Sequence, residues 1–195
     1  GANRIITMDL HSTQIQGFAK IPFDNLYSRK IFYSVIKNNN FNPEKTVVLA
    51  PDIGSAKMSQ SYAKTLGMHF ALIEKRRFAP NQAEVNHLIG NLDSLDVLII
   101  DDMVDTAGTT VSAADAAIAK GANSVTVVAT HGVLSGPAVQ RLNESVIDKL
   151  IVTDTILIPE EKQIEKIETV SAAGLFAEAI SRVHDGESLS ALFEF

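Results

Sequence analysis

Cysteine is absent from the 195 residues of this sequence, which excludes disulfide bonds, zinc–cysteine sites and thiol nucleophiles. The absence is also typical of a reducing compartment, so we expect a cytoplasmic protein. Long apolar runs are missing as well, because stretches such as 97–100 (VLII) and 125–129 (VTVVA) are far too short to span a bilayer. We therefore expect no membrane partner.

Positive charge is scarce in this chain. The 17 Lys and Arg residues are outnumbered by 23 Asp and Glu residues, which gives a formal net charge of −6. Nucleic-acid binders need clustered Lys and Arg to contact phosphates, so the composition argues against a nucleic-acid partner. A protein of this charge that handles anions needs a local cationic pocket or a magnesium-bridged phosphate.

Short apolar runs alternate with helical segments along the chain. We predict strands at about 4–9, 46–50, 69–74, 96–101, 124–130 and 149–153, and helices at about 27–38, 55–66, 107–120, 136–144 and 171–184. The strand segments are apolar almost without interruption, as expected for strands buried on both faces. The pattern predicts a single α/β domain over 1–195, with a mostly parallel sheet flanked by helices.

The segment 97–110 (VLIIDDMVDTAGTT) carries the strongest functional signal. In open α/β sheets ligands bind beyond the carboxyl ends of strands, where Asp101 and Asp102 fall. The loop after them can direct several backbone N–H groups to one spot, and a helix beginning near Ala107 adds its positive end, which suits a phosphate monoester. Gly108 permits a close backbone approach. The two acids suit vicinal hydroxyls or Mg²⁺, so the segment predicts a phosphorylated sugar as ligand, although a single acid here could simply cap the helix.

Three other stretches place polar residues at predicted strand ends. Asp9 and His11 follow the first strand, where such a pair can coordinate a metal or hold a nucleotide triphosphate. Asp52 lies at a second strand-to-helix junction. Lys75 and Arg77 belong to a run of three cations, which is usually solvated but could neutralise a migrating phosphate chain.

The segments 9–18 (DLHSTQIQGF) and 101–109 (DDMVDTAGT) together resemble the ribose-phosphate pyrophosphokinases, the phosphoribosyl pyrophosphate synthetase family. The resemblance extends over essentially the whole chain, and it implies a type I phosphoribosyltransferase-like fold. It also implies transfer of the diphosphate of ATP to the 1-hydroxyl of ribose 5-phosphate for nucleotide biosynthesis, with Mg²⁺ as cofactor and AMP as the second product. Family members form hexamers and are longer at the N-terminus, so we expect this chain to be the C-terminal part of a synthetase whose N-terminal half is absent.

The resemblance implies a role for each matching position. Asp9 and His11 match the metal and ATP site, with His11 as the ATP contact, and Lys75 and Arg77 match catalytic cations that stabilise the transition state. The remaining matches are to ribose 5-phosphate contacts, and they are Asp52, Asp101, Asp102, Asp105, Thr106, Ala107, Gly108 and Thr109.

Some positions depart from the family pattern, and two alternative functions stay open. Lys20 stands where members often have an acid linked to the metal site, and Gly132 stands where Pro is common. The first alternative is a non-catalytic regulatory relative that binds phosphates or partner subunits. The second is a salvage phosphoribosyltransferase, although such an enzyme has no need for the second nucleotide site implied by 9–18.

Overall fold

The computed structural model describes residues 1–39, 41–76 and 85–193. The strands are β1 (Ile5–Met8), β2 (Phe23–Leu26), β3 (Thr46–Ala50), β4 (His69–Arg76), β5 (Val85–Ile89), β6 (Asp96–Val104), β7 (Ser124–Gly132), β8 (Lys149–Thr153) and β9 (Ile167–Val170). The α-helices are α1 (Arg29–Asn38), α2 (Ala56–Leu66), α3 (Gly108–Ala119), α4 (Ala138–Glu144) and α5 (Ala173–His184). Short 3₁₀ turns occupy Thr13–Phe18, Pro43–Lys45, Glu160–Lys162 and Ser190–Leu192. All six predicted strands and all five predicted helices are confirmed.

Seven strands form one sheet in the order β5-β4-β3-β6-β7-β8-β9. Every neighbouring pair is parallel except β4 with β5, so the predicted α/β class with a mostly parallel sheet is confirmed. After β3 the chain proceeds to β4 on one side, whereas after β6 it proceeds to β7 on the other. The order therefore reverses between β3 and β6, and such a point opens a crevice at the carboxyl ends of the strands.

Helices cover both faces of this sheet, which explains the uninterrupted apolarity of its central strands. Val47 and Leu49 pack in one cluster with α3 and α4, whereas Val48 between them packs in the other with α1 and α2. Side chains alternate between the two faces of a strand, so both sets must be apolar. In the described residues, no helix is both long and apolar enough to cross a membrane.

Three strands were missed by the sequence analysis, and all three are short and partly polar. β5 (VNHLI) and β9 (IETV) lie at the two edges of the large sheet, and β2 (FDNL) pairs only with β1 in a separate two-stranded sheet. An edge strand needs no continuous apolar run, because solvent reaches part of it. The two-stranded sheet packs with α5 and the C-terminal turn in a third apolar cluster.

Candidate functional site

A pocket of about 620 Å³ opens at the carboxyl ends of β1, β3 and β6. Five of the residues that the sequence analysis selected line it, and they are Asp9, His11, Asp52, Asp101 and Asp102. The topology explains why they meet, since β3 and β6 are the neighbours that flank the reversal in strand order. The structure therefore brings together acids that lie more than 90 positions apart in the sequence.

The two acids of β6 differ in their electrostatic environment. Burial raises the pKa of Asp101 to about 7, and the nearby carboxylates of Asp102 and Asp52 push in the same direction, against the hydrogen bond from the Asp102 amide. That amide donates to Asp101 Oδ1 over 2.9 Å. Near neutral pH the Asp101 carboxyl can therefore either accept or donate a hydrogen bond to a ligand hydroxyl.

His11 reaches across the pocket to the second acid. Its Nδ1 lies 2.7 Å from Asp102 Oδ2, while its side chain stays 71% exposed. The hydrogen bond with Asp102, together with the charge of that carboxylate, raises the pKa of His11. An exposed imidazole held in this way can contact a phosphate without becoming buried itself.

Asp52 shapes the turn that leads from β3 into α2. Its Oδ1 accepts a hydrogen bond of 3.0 Å from the Ser55 amide, and the Ser55 hydroxyl donates to the Asp52 carbonyl over 3.0 Å. Asp side chains commonly bind backbone a few residues further on in this manner, which closes a tight turn. One carboxylate oxygen of Asp52 thus has a structural role at the rim of the pocket.

Asp9 is held by residues that the sequence analysis missed. Its φ of +41° lies in the left-handed region, which is uncommon for a residue other than glycine. Asp9 Oδ2 accepts hydrogen bonds from the Ser28 amide (3.0 Å) and from the Thr130 hydroxyl (2.7 Å), and the Ser28 and Thr130 hydroxyls lie 2.8 Å apart. The one sequence signal for Thr130 was its position at the carboxyl end of a predicted strand.

The predicted phosphate-binding residues lie in the turn between β6 and α3 and in the first turn of that helix. Asp105, Thr106 and Thr109 are exposed there, while Ala107 is buried with a φ of +60°. Among the described residues that line the pocket, none comes from 105–109. Asp105 Oδ1 accepts a hydrogen bond from the Ser135 hydroxyl, so one of its two oxygens is already engaged.

The two predicted catalytic cations stay predictions. Arg77 lies outside the described residues, and Lys75 falls within β4 at a position whose side chain is not described. Two other cations line the pocket and were missed by the sequence analysis, namely Arg29 at the start of α1 and Lys57 in α2. The Arg29 guanidinium carbon lies 5.7 Å from the centre of the Tyr62 ring, a cation–π contact.

The donor set of the pocket is compatible with magnesium. Among the described residues, no group of three or more His, Asp or Glu side chains is arranged to hold a metal ion by itself. Mg²⁺ does not require such a cage, because it is usually bound by one or two carboxylates together with substrate phosphates and water. Asp101 and Asp102 offer such carboxylates, and the metal role of Asp9 and His11 stays a prediction.

Known proteins resemble this chain over nearly its whole length. The family model described as "Phosphoribosyl synthetase-associated domain" matches residues 77–194. The chain is 48% identical over 194 residues to the ribose-phosphate pyrophosphokinase of Chlorobaculum tepidum, covering 100% of this chain and 59% of that protein. It is 47% identical to the enzyme of the same name from Caldanaerobacter subterraneus subsp. tengcongensis, covering 99% of this chain and 61% of that protein.

A solved structure agrees with these relatives. Phosphoribosylpyrophosphate synthetase from Mycobacterium smegmatis superposes with a TM-score of 0.86 at 36% identity, covering 95% of this chain and 60% of that chain. The chain thus spans about 60% of the length of the proteins it matches. Which part of the longer protein it represents stays a prediction. On the family match and these relatives, the chain belongs to the phosphoribosyl synthetase family, whose curated relatives are named ribose-phosphate pyrophosphokinases.

Proposed function

We propose that this chain binds ribose 5-phosphate at the carboxyl end of β6 and carries that part of a synthetase which transfers the diphosphate of ATP to the sugar. The names of the relatives support the reaction class, since they are ribose-phosphate pyrophosphokinases. The chain covers 59% and 61% of those two relatives. The complete reaction is therefore proposed for the longer protein, with this chain supplying the sugar-phosphate site.

One observation carries the proposal: two adjacent carboxylates at a pocket are followed directly by an exposed loop that opens a helix. Asp101 and Asp102 line the pocket, and residues 105–109 lead into α3. Carboxylates accept hydrogen bonds from hydroxyls but repel phosphate, whereas loop amides and a helix N-terminus attract phosphate. A sugar phosphate satisfies both demands with a single molecule.

The proposed reaction forms one bond and breaks one. The 1-hydroxyl oxygen attacks the β-phosphorus of ATP, the bond from that phosphorus to the oxygen bridging the α-phosphate breaks, and AMP leaves while the hydroxyl proton passes to solvent. Asp101 and Asp102 orient the sugar through its ring hydroxyls, and the amides of 105–109 fix its 5-phosphate. His11 contacts the phosphate chain from the other side of the pocket. Asp101 and Asp102 would hold Mg²⁺ together with the phosphates of ATP, and the ion would supply neutralisation of charge on the transferred group.

Phosphorus NMR of the purified chain with ATP, Mg²⁺ and ribose 5-phosphate tests the proposal. AMP together with 5-phosphoribosyl 1-diphosphate supports synthesis, and Asp101→Asn should abolish it. Asp115→Asn makes the same chemical substitution on the exposed face of α3 and should leave synthesis intact. Ribose 5-phosphate binding without turnover would favour the non-catalytic alternative, or a need for the rest of the longer protein.

The salvage alternative is tested in the same experiment. Adding 5-phosphoribosyl 1-diphosphate and a free purine base gives a nucleotide and diphosphate only if the chain is a salvage transferase. Self-association into hexamers, which the family resemblance implies, stays a prediction. A cytoplasmic location, which the absence of cysteine favours, stays a prediction as well.

A further inference from the structure

Three consecutive carbonyls of the proposed phosphate loop are held by one neighbouring segment, residues 134–141. The Val104 carbonyl accepts from the Leu134 amide over 3.0 Å, and the Asp105 carbonyl accepts from the Ser135 amide over 3.0 Å. The next carbonyl, that of Thr106, accepts over 2.9 Å from Nη1 of Arg141, a residue of α4. These three hydrogen bonds to the carbonyls of residues 104–106, which we call the clamp, fix the loop from one side at each successive peptide unit.

Because of the geometry of the peptide bond, the clamp also determines the direction in which the backbone amides of the loop point. In a trans peptide unit the C=O and the following N–H point in opposite directions. Because the carbonyls of residues 104–106 face the segment 134–141, the amides of residues 105–107 face away from it. Successive amides on one side of a loop that contains a left-handed residue form an anion-binding concavity, and Ala107 supplies that residue with its φ of +60°.

Arg141 supplies the one side-chain donor of the clamp, which a mutation can remove, because the other two donors are backbone amides. Its Nη1 would lie 3.4 Å from a Cβ placed at Gly108, so the guanidinium packs against the first residue of α3. Arg141 is exposed, whereas its neighbour Leu142 is buried and anchors α4 to the core. Loss of the guanidinium should therefore disturb the loop rather than the fold.

Leu134, the first residue of the clamping segment 134–141, is itself held in place by Lys162. Leu134 has a φ of +49°, and its carbonyl accepts a hydrogen bond of 2.9 Å from the Lys162 ammonium. The side chain of Leu134 is buried and its carbonyl is bound by Lys162, so its strained backbone is fixed. Leu134 can thereby keep Ser135 and Arg141 in position against the loop.

We propose that Arg141 is a positioning residue for the sugar phosphate: by holding the Thr106 carbonyl, it directs the Ala107 amide toward the 5-phosphate. The proposal rests on the function proposed above and deepens it, since it assigns recognition of the phosphate to the clamp and recognition of the hydroxyls to the β6 acids. Arg141 acts through the loop and is not assigned a contact with the reacting atoms.

The test compares ribose 5-phosphate affinity, measured by titration calorimetry, in wild type and three variants of the full chain. Arg141→Met should weaken binding by about tenfold to a hundredfold, the range for loss of a charged hydrogen bond. Arg141→Lys keeps a cation that can donate to the Thr106 carbonyl and should recover most of the affinity. Lys166→Met is the matched control, because Lys166 donates to the Leu142 and Ser145 carbonyls at the far end of α4, over 3.2 and 2.8 Å.

A second readout separates positioning from a general loss of structure. In amide NMR of the ribose 5-phosphate titration, the Ala107 signal should shift in wild type and lose most of that shift in Arg141→Met. ATP affinity should stay unchanged in all variants. Equal affinity in wild type and Arg141→Met, or equal losses for ATP and the sugar phosphate, would refute the positioning role while leaving the proposed function in place. Failure of wild type to bind ribose 5-phosphate would instead refute both.

Discussion

Replacing Thr130 by valine should destabilise this protein strongly, although the substitution only replaces a hydroxyl by a methyl group. Thr130 is 2% exposed, and its hydroxyl donates to Asp9 Oδ2 over 2.7 Å. Since the single hydroxyl hydrogen is used in that bond, the Ser28 hydroxyl donates to Thr130 over 2.8 Å. The substitution therefore removes one hydrogen bond to a carboxylate and leaves the buried Ser28 hydroxyl without its acceptor.

The magnitude follows from these two losses. A hydrogen bond to a charged group contributes about 1.5–3 kcal/mol, and a buried neutral one contributes about 1 kcal/mol. Valine offsets part of this by burying a methyl group of similar size, so we expect the free energy of unfolding to fall by about 3 kcal/mol. For a domain of this size that corresponds to roughly 6–12 °C in Tm.

Urea denaturation followed by circular dichroism measures the effect. Thr126→Val is the matched control, because Thr126 lies four positions earlier in β7, is half-buried and makes no side-chain hydrogen bond with the described residues. Equal free energies of unfolding in the two valine variants would show that the network around Asp9 does not stabilise the fold.

Three other substitutions, one of them with a matched glycine control, test separate parts of the structure. Burial holds the pKa of Asp101 at about 7, above its ordinary 3.8, so between these two pH values the native state keeps a proton that the unfolded chain has lost. Wild type should therefore lose stability as the pH rises from 3.8 to about 7. Denaturation should show Asp101→Asn to be more stable than wild type by a few kcal/mol at about pH 8 but not at about pH 4. Hydrogen bonds from the start of α5 lower the pKa of Asp154, so Asp154→Ala should reduce the free energy of unfolding by about 1 kcal/mol at neutral pH. The difference in stability between wild type and this variant should vanish in acid, where Asp154 is protonated. A difference that stays constant with pH would contradict the role of Asp154 at the start of α5. Gly121→Ala should cost more than about 1 kcal/mol, because its φ is +89° and a Cβ would lie 2.5 Å from Asp93 Oδ1. Gly174→Ala, in the helix α5 with no atom within 4 Å of its Cβ position, should be neutral or stabilising in the same urea titration.

The sequence predicted the central strands well because their environment leaves a simple signal. A strand such as 97–100 (VLII) is covered by helices on both faces, so every position is apolar. The strands that were missed obey a different constraint: β9 (IETV) lies at an edge, where one side of the strand is open and polar residues are tolerated. Pairing partners, which are distant in sequence, determine such strands more than local pattern does.

Helix caps show the same division between local and distant causes. Ser171 lies just before the last helix, and its hydroxyl accepts a hydrogen bond from the Ala173 amide over 3.2 Å. The adjacent Ala172 amide, however, donates to Asp154 over 2.7 Å, and that acid lies 18 positions earlier at the end of β8. A local pattern could not reveal it, because only the pairing of β8 with β9 brings the two together.

The site was predicted in outline for a related reason. Asp101 and Asp102 could be placed from sequence because a strand end is a local feature and parallel strands share one functional edge. The support of Asp9 by Thr130, 121 positions away, depends on how the two-stranded sheet sits against β7. Arg141 was missed likewise, since its contact with Thr106 spans 35 positions and joins a short helix to a loop. Residues that hold a site in place leave a weaker sequence signal than those at its centre.

The claim that β6 and its loop bind a sugar phosphate is tested most directly by amide NMR of the chain titrated with ribose 5-phosphate, with ribose as the reference ligand. Ribose 5-phosphate should shift the amides of Asp101 and Asp102 together with those of Ala107, Gly108 and Thr109, whereas ribose, which lacks the phosphate, should leave the loop signals unchanged. Saturating ribose 5-phosphate that moves none of these amides, or moves only signals far from the end of β6, would contradict it.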